Sequence, residues 1–261
     1  SAFVGGVVAI ALSIAADSLK GSVYEIKVIY AIRYFAYILA VIDVIVLSLP
    51  KEYEYNKSAK IDIRNVFRFP FTNKKFLITM LFVLGWNFSY NITAGSLDYY
   101  LLNNVGVKYF TVYLVNLIYF VFLLVFSPIW KKVIRKYYWF DAYAIALVMN
   151  GATYIIYSCV TNTALFVVVR MLQHITGVGV NISFANMVYV NLPEKDRSYY
   201  VSFNLLVTNL GAFLGLMFAT TFNAVIGDNT LIIAGFELVN VQMLLLIQAF
   251  AMIANAIVVF A

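Results

Sequence analysis

Eight long apolar runs, separated by gaps whose Lys and Arg content alternates, constrain this chain more than any other feature. The runs lie at 2–19, 28–49, 76–97, 109–130, 140–160, 164–190, 199–226 and 238–260. A helix needs about 20 mostly apolar residues to cross a hydrocarbon layer of about 30 Å. The chain is 64% hydrophobic and 11% charged, against about 25% charged in an ordinary soluble domain. No soluble core hides that much apolar surface, so its solvent is lipid. Lipid offers the backbone no hydrogen-bond partners, which leaves helices and closed barrels as spanning structures. Barrel strands alternate polarity over about ten residues, whereas these runs are longer and uniformly apolar. The expectation is an all-α polytopic membrane protein with eight transmembrane helices.

Orientation follows from the basic residues. The gap at 50–75 holds Lys51, Lys57, Lys60, Arg64, Arg68, Lys74 and Lys75. The next basic gap holds Lys131, Lys132, Arg135 and Lys136, and a third holds Lys195 and Arg197. The alternate gaps carry only Lys20, Lys27 and Lys108, a split of 13 against 3, with Arg33 and Arg170 inside runs. Short cytoplasmic loops carry the excess of Lys and Arg, so the basic gaps and the C-terminus are expected on the cytoplasmic side.

Composition excludes several function classes. A single cysteine, Cys159, allows no internal disulfide, and one histidine allows no His-cluster metal site. Net charge is +6, but the basic residues sit in gaps rather than along one polar face, so nucleic acid is a poor partner. The chain starts Ser-Ala-Phe-Val within an apolar run, with no basic segment before it. That start is read as a truncation point and not as a signal peptide. The long gap at 50–75 interleaves Ile61, Ile63, Val66, Phe67, Phe69 and Phe71 with charges. It reads either as an interfacial helix or as a solvated linker with aromatic anchors, and Pro70 is expected to end any helix there.

Two stretches carry a family resemblance. Ser127-Pro128-Ile129-Trp130-Lys131-Lys132 is similar to the motif between helices 8 and 9 of major facilitator superfamily transporters of bacterial type. Pro193-Glu194-Lys195-Asp196-Arg197-Ser198-Tyr199-Tyr200, followed by Asn209-Leu210-Gly211-Ala212-Phe213-Leu214-Gly215, resembles their loop 10–11 and helix 11. Order and spacing agree over residues 66–222. The resemblance implies that 1–50 are the last two helices of a truncated N-terminal bundle and 51–75 the cytoplasmic inter-bundle linker. Residues 76–261 are then the C-terminal six-helix bundle, the whole covering helices 5–12. The family's loop motif usually offers Gly-x-x-x-Asp before basic residues. Here Lys131 and Arg135 stand at those places, so the charge-paired cytoplasmic gate, with Lys132 and Lys136 beside them, is altered.

Such a machine implies alternating access around a site near the bilayer midplane, and polar residues at lipid depth are the candidates for it. On the sixth run Arg170, His174, Gly177, Asn181 and Ala185 recur at helical spacing, with Gln173 adjacent. At about 1.5 Å per residue from Ala164, Arg170 lies roughly 9 Å deep and His174 roughly 15 Å deep. A buried guanidinium needs an anion, carbonyl or water, and histidine titrates near neutral pH. The pair is either part of a solute pathway, with His174 carrying a coupled proton, or a structural network.

The third run offers Trp86 and Tyr90 on one stripe and Asn87 and Asn91 on the next, either lining a cavity or bonding between helices. Asn116 and Tyr119 are weaker candidates of the same kind. Asn204 and Thr208 share a face with Gly211 and Gly215, glycines whose spacing allows close helix approach. Asp43 pairs with a neighbour, snorkels, or couples protons.

No Gly-x-x-x-x-Gly-Lys-Ser/Thr loop and no hydrolase motif occurs. The chain is therefore expected to be neither an ATP-driven pump nor an enzyme, and to need no cofactor or metal. The function expected is secondary active transport of a small organic solute, coupled to protons or another ion, in a bacterial cytoplasmic membrane. The alternative is a receptor or scaffold on the same fold. Single cysteines introduced in 50–75, 131–139 or 193–198, in a Cys159→Ser background, should resist an impermeant thiol reagent outside intact cells. Labelling of a cysteine in 50–75 from outside overturns this orientation.

Overall fold

The structure, a computed structural model, describes residues 2–49, 62–227, 229–233 and 235–260. Lys51, Lys57, Lys60 and Ile61 of the long basic gap lie outside the described residues. In chain order the helices are α1 (Ala2–Leu19), α2 (Glu25–Ser48), α3 (Ile63–Thr72), α4 (Lys74–Asn91) and α5 (Leu97–Tyr99). After a π-helical turn at Tyr100–Asn104 come α6 (Tyr109–Lys136), α7 (Trp139–Ser158), α8 (Thr163–Val190), α9 (Arg197–Ile226) and α10 (Asn240–Phe260). A small antiparallel hairpin, β1 (Leu231–Ile233) with β2 (Phe236–Leu238), joins the last two.

Each expected run is helical, yet only α2, α6, α7, α8, α9 and α10 among the described residues are both long and apolar enough to cross a membrane. Helix α4 opens on Lys74 and Lys75 and stops at Asn91, six residues short of the expected end. Ile92, Thr93, Gly95 and Ser96 follow, all poor helix formers, and the chain turns there.

Pro70 does not end α3. The helix runs two residues beyond it to Thr72, with the proline ring buried. Phe67 and Phe71 meet Phe203 edge-on at 6.2 and 5.7 Å, and Tyr200 donates to the Phe69 carbonyl at 3.3 Å. These tertiary contacts hold the turn whose backbone hydrogen bond the proline removes. The side of the gap that the structure describes is thus a helix packed on the start of α9.

The chain divides into two compact units. The first takes α1, α2 and the opening of α6 (Lys108–Leu117). In it the Asp17 carboxylate accepts from the backbone N–H groups of Tyr109 and Phe110, at 2.8 and 2.7 Å. An anion at a helix N-terminus satisfies otherwise orphaned donors. No residue in the apolar stretch of α2 is buried.

The second unit takes Ile63–Val107 and everything from Ile118 onward. There α7 packs on α10 and α8, α4 packs on α9 and α10, and α6 meets α8 through side chains. Exchanging α4, α6 and α7 for α8, α9 and α10 maps these pairings onto one another, as two repeated three-helix units would. Small residues make the seams close. A Cβ on Gly151 of α7 would lie 3.0 Å from the Ala249 carbonyl oxygen of α10. One on Gly211 would lie 2.8 Å from the Leu84 carbonyl oxygen, and one on Gly215 would collide with that of Phe88. The spacing of Gly211 and Gly215 therefore serves contact between α9 and α4.

Gly177 has open space around its would-be Cβ, which makes it an internal control. Gly215→Ala should lower the thermal midpoint in detergent, with about 1–3 kcal/mol lost to overpacking. Gly177→Ala should hold or raise it, since alanine is about 1 kcal/mol the better helix former. Equal midpoints for the two variants contradict the seam.

Candidate functional site

Polar side chains at lipid depth gather on the second unit in a layer shared by four helices. Arg170 of α8 is half-buried, and its Nη1 donates to Oε1 of Gln173 at 2.9 Å. The Tyr154 hydroxyl of α7 sits beside both Arg170 and Gln248 of α10. Gln248 in turn accepts from the Thr93 hydroxyl beyond α4, at 2.5 Å. The amide nitrogens of Gln173 and Gln248 are buried with no hydrogen-bond partner within the protein. An unsatisfied buried donor costs about 1–3 kcal/mol, so these two amides carry a cost that an added acceptor would relieve.

His174 diverges from Arg170 although one turn separates them. It is buried against α6, with ring centroids 5.3 Å from Tyr119 and 5.8 Å from Phe122. Tyr119 receives a hydrogen bond on its hydroxyl from Nδ2 of the exposed Asn181, at 2.6 Å. The α8 stripe expected from spacing therefore splits. Arg170 turns to Tyr154 of α7, His174 and Asn181 to α6.

The two stripes on α4 also separate. Trp86 is buried, 5.3 Å from the exposed Tyr90 ring and 6.2 Å from Phe184 of α8. Asn87 and Asn91 instead donate to the carbonyls of Val83 and Asn87 in their own helix, both at 2.8 Å. Their Cβ atoms pack where Gly211 and Gly215 leave room. Among the expected residues, the layer and the α6–α8 contact bring together Trp86, Tyr90, Tyr119, Arg170, Gln173, His174 and Asn181. Asn87 and Asn91 stand in the α4–α9 seam. Asn204 and Thr208 are half-buried on α9, and the side-chain Oδ1 of Asn204 is buried without a hydrogen-bond partner within the protein. Asn116 and Asp43 belong to the other unit, where Asp43 is exposed on α2.

The basic residues of the altered gate motif are helical, not in a loop. Lys131, Lys132, Arg135 and Lys136 are all exposed on the last turns of α6, where cations complement the helix dipole. Trp130 beside them is buried, donates Nε1–H to the Ile175 carbonyl at 2.9 Å, and lies over Gly179 of α8. Sequence reasoning missed Tyr154, Gln248 and Trp130 as parts of this assembly. Gln248 carried a readable signal, a lone amide within an apolar span. Trp130 stood inside the Ser127–Lys132 motif without being singled out, and Tyr154 carried no signal, because aromatics are common throughout the chain.

A family model of the Major Facilitator Superfamily matches residues 76–261. The chain belongs to the Major Facilitator Superfamily. The matched part runs from the first turn of α4 to the end of the chain, so every residue of the polar layer lies inside it. Members of this superfamily are membrane transporters of solutes, not enzymes, and this chain is a multi-pass membrane protein of that superfamily. No curated protein and no solved structure matches the chain. Among the described residues no group of three or more His, Cys, Asp or Glu side chains forms a metal site.

Proposed function

We propose that the protein is a secondary active transporter that moves a small organic solute by alternating access, with the polar layer on α8 as its solute contact. The observation that carries this reading is the donor surplus at lipid depth. The buried amide nitrogens of Gln173 and Gln248 have no partner within the protein, and the Arg170 guanidinium lies beside Gln173. Helices without function rarely keep such groups in hydrocarbon. Donors of this kind suit a solute bearing a carboxylate or another acceptor-rich group, and a guanidinium adds two-point recognition. Tyr90 and the Tyr119–Asn181 pair supply the exposed aromatic and amide surface next to it.

In this reading His174 carries the coupling proton. Tyr119 and Phe122 enclose it from α6, and Arg170 stands one turn away on its own helix. Solute and proton then occupy different sides of one helix, so a small rotation of α8 reaches both. The altered gate motif places four positive charges at the end of α6 that face the cytoplasm in this orientation. The membrane proposed is the bacterial cytoplasmic one.

Reconstituted full-length protein tests the assignment by counterflow and by uptake driven by a pH gradient, using a panel of labelled small carboxylates. Arg170→Lys should impair exchange nearly as much as Arg170→Ala, because the planar fork is lost in both. A drop of about ten-fold or more in affinity corresponds to loss of a charged hydrogen bond. His174→Ala should keep exchange and lose accumulation against a gradient. Unchanged affinity and unchanged pH dependence in these variants make the layer structural. Absence of exchange for every solute in the intact protein favours the receptor alternative.

A further inference from the structure

An exposed cluster of basic side chains closes α6, and the polar layer on α8 makes no use of it. Lys131, Lys132, Arg135 and Lys136 lie within the last two turns of the helix, and all of them are exposed. At about 100° per residue they fall within one arc of about 140°. The exposed Val121, Leu124 and Val125, earlier in the same helix, fall within that arc too. The cations thus continue an exposed apolar stripe, with about 10 Å along the axis between Leu124 and Lys131.

The rotational setting of this arc is fixed from the other side of the helix. Trp130 and Ile134 are buried there. The Trp130 indole N–H donates to the Ile175 carbonyl at 2.9 Å, and its ring fills the space over Gly179. This anchor on α8 turns the basic arc away from that helix. Orientation in the membrane asks for positive charge at the cytoplasmic ends of the spans, but not for its collection on one exposed face.

Acidic neighbours in sequence are few. Asp141, half-buried in the first turn of α7, is the nearest. The turn into α9 instead sets Glu194 and Asp196 beside Lys195 and Arg197, all exposed, so its charges balance. Tyr137 and Tyr138 follow the basic turns and are exposed, with Lys136 Nζ 5.1 Å from the Tyr137 ring centroid. Tyrosine collects at the level of lipid headgroups. Clusters of Lys and Arg directly beyond a span attract anionic headgroups, and their long stems lie along apolar surface while the charge stays in the polar region.

We propose that the basic arc of α6 is a docking surface for an anionic phospholipid. Lys131, Lys132, Arg135 and Lys136 hold its headgroup phosphate, and its acyl chains run along Val121, Leu124 and Val125. The inference does not rest on the solute contact assigned to α8.

Native mass spectrometry of the full chain in a nonionic detergent tests it, with phosphatidylglycerol and phosphatidylcholine supplied at equal concentration. Inorganic phosphate serves as the soluble anion. Phosphatidylglycerol should be retained about five-fold or more over phosphatidylcholine, and high salt should remove the difference. Lys131→Gln with Lys132→Gln should weaken that retention about ten-fold or more, since each cation near a headgroup contributes about five-fold. Lys131→Arg with Lys132→Arg should keep it. Lys195→Gln with Arg197→Gln removes as much positive charge elsewhere and should leave it unchanged. The altered side chains are all exposed, so thermal midpoints without added lipid should match, which separates lost docking from lost folding. Equal retention of the two lipids, or displacement of phosphatidylglycerol by inorganic phosphate, overturns the proposal. So does equal loss in the 131/132 and 195/197 Gln variants, or a dimer that shields Lys131 and Lys132 from an amine reagent and retains no lipid.

Discussion

Hydrocarbon gives a polar group no partner except its own protein, and most of this structure answers that constraint locally. Asn87, Asn91, Ser89, Asn186, Asn209 and Thr220 each donate to the carbonyl four residues earlier in their own helix. Bonds of this kind let polar residues sit in a span without specifying a neighbour. They also free helix faces for close packing, as at Gly211 and Gly215, where the α4 backbone comes within contact of α9. Tight seams between α4 and α9 and between α7 and α10 then hold the second unit together.

Against that background the exceptions are informative. Arg170, Tyr154, Gln248 and Thr93 reach across helices instead of back along them. Thr176 of α8 likewise donates to the buried Asn150 of α7 at 2.9 Å. Two amide nitrogens in the Arg170 layer stay unpartnered, a cost that packing alone does not require. In the transport reading proposed above, the cargo supplies acceptors for these groups during the cycle. The same unit thus separates two tasks, rigid seams built on small residues and a polar layer built on long ones.

Much of the architecture was legible in the sequence. Apolar runs of 18 residues or more located the long helices, and the resemblance carried by Ser127–Lys132 and Pro193–Tyr200 agrees with the family match. Helix ends were harder. The apolar run at 76–97 hides a break after Asn91 that only weak helix propensity marks, and Pro70 sits inside α3 because aromatic contacts to α9 outweigh its missing N–H. For the site, helical spacing identified which residues share a face but not what that face meets. Arg170 and His174 share spacing and still diverge, since long side chains choose partners on either side of a helix. Asn87 and Trp86 are adjacent in sequence and therefore face different neighbours. Gln248 and Tyr154 come from helices distant in the chain, so only folding brings them to Arg170.

The central claim is that the α8 face beside the Tyr119–Asn181 contact is a water-filled pathway in turn open to each side of the membrane. Thiol accessibility tests it most directly, using Asn181→Cys, Tyr90→Cys and Asn91→Cys, each in a Cys159→Ser background in sealed vesicles of both orientations. Cysteines at 181 and 90 should react with an impermeant thiol reagent from either side, whereas the one at 91 should be protected by the α4–α9 seam. Reaction at 181 from neither side, or equal reaction at all three positions, contradicts the account.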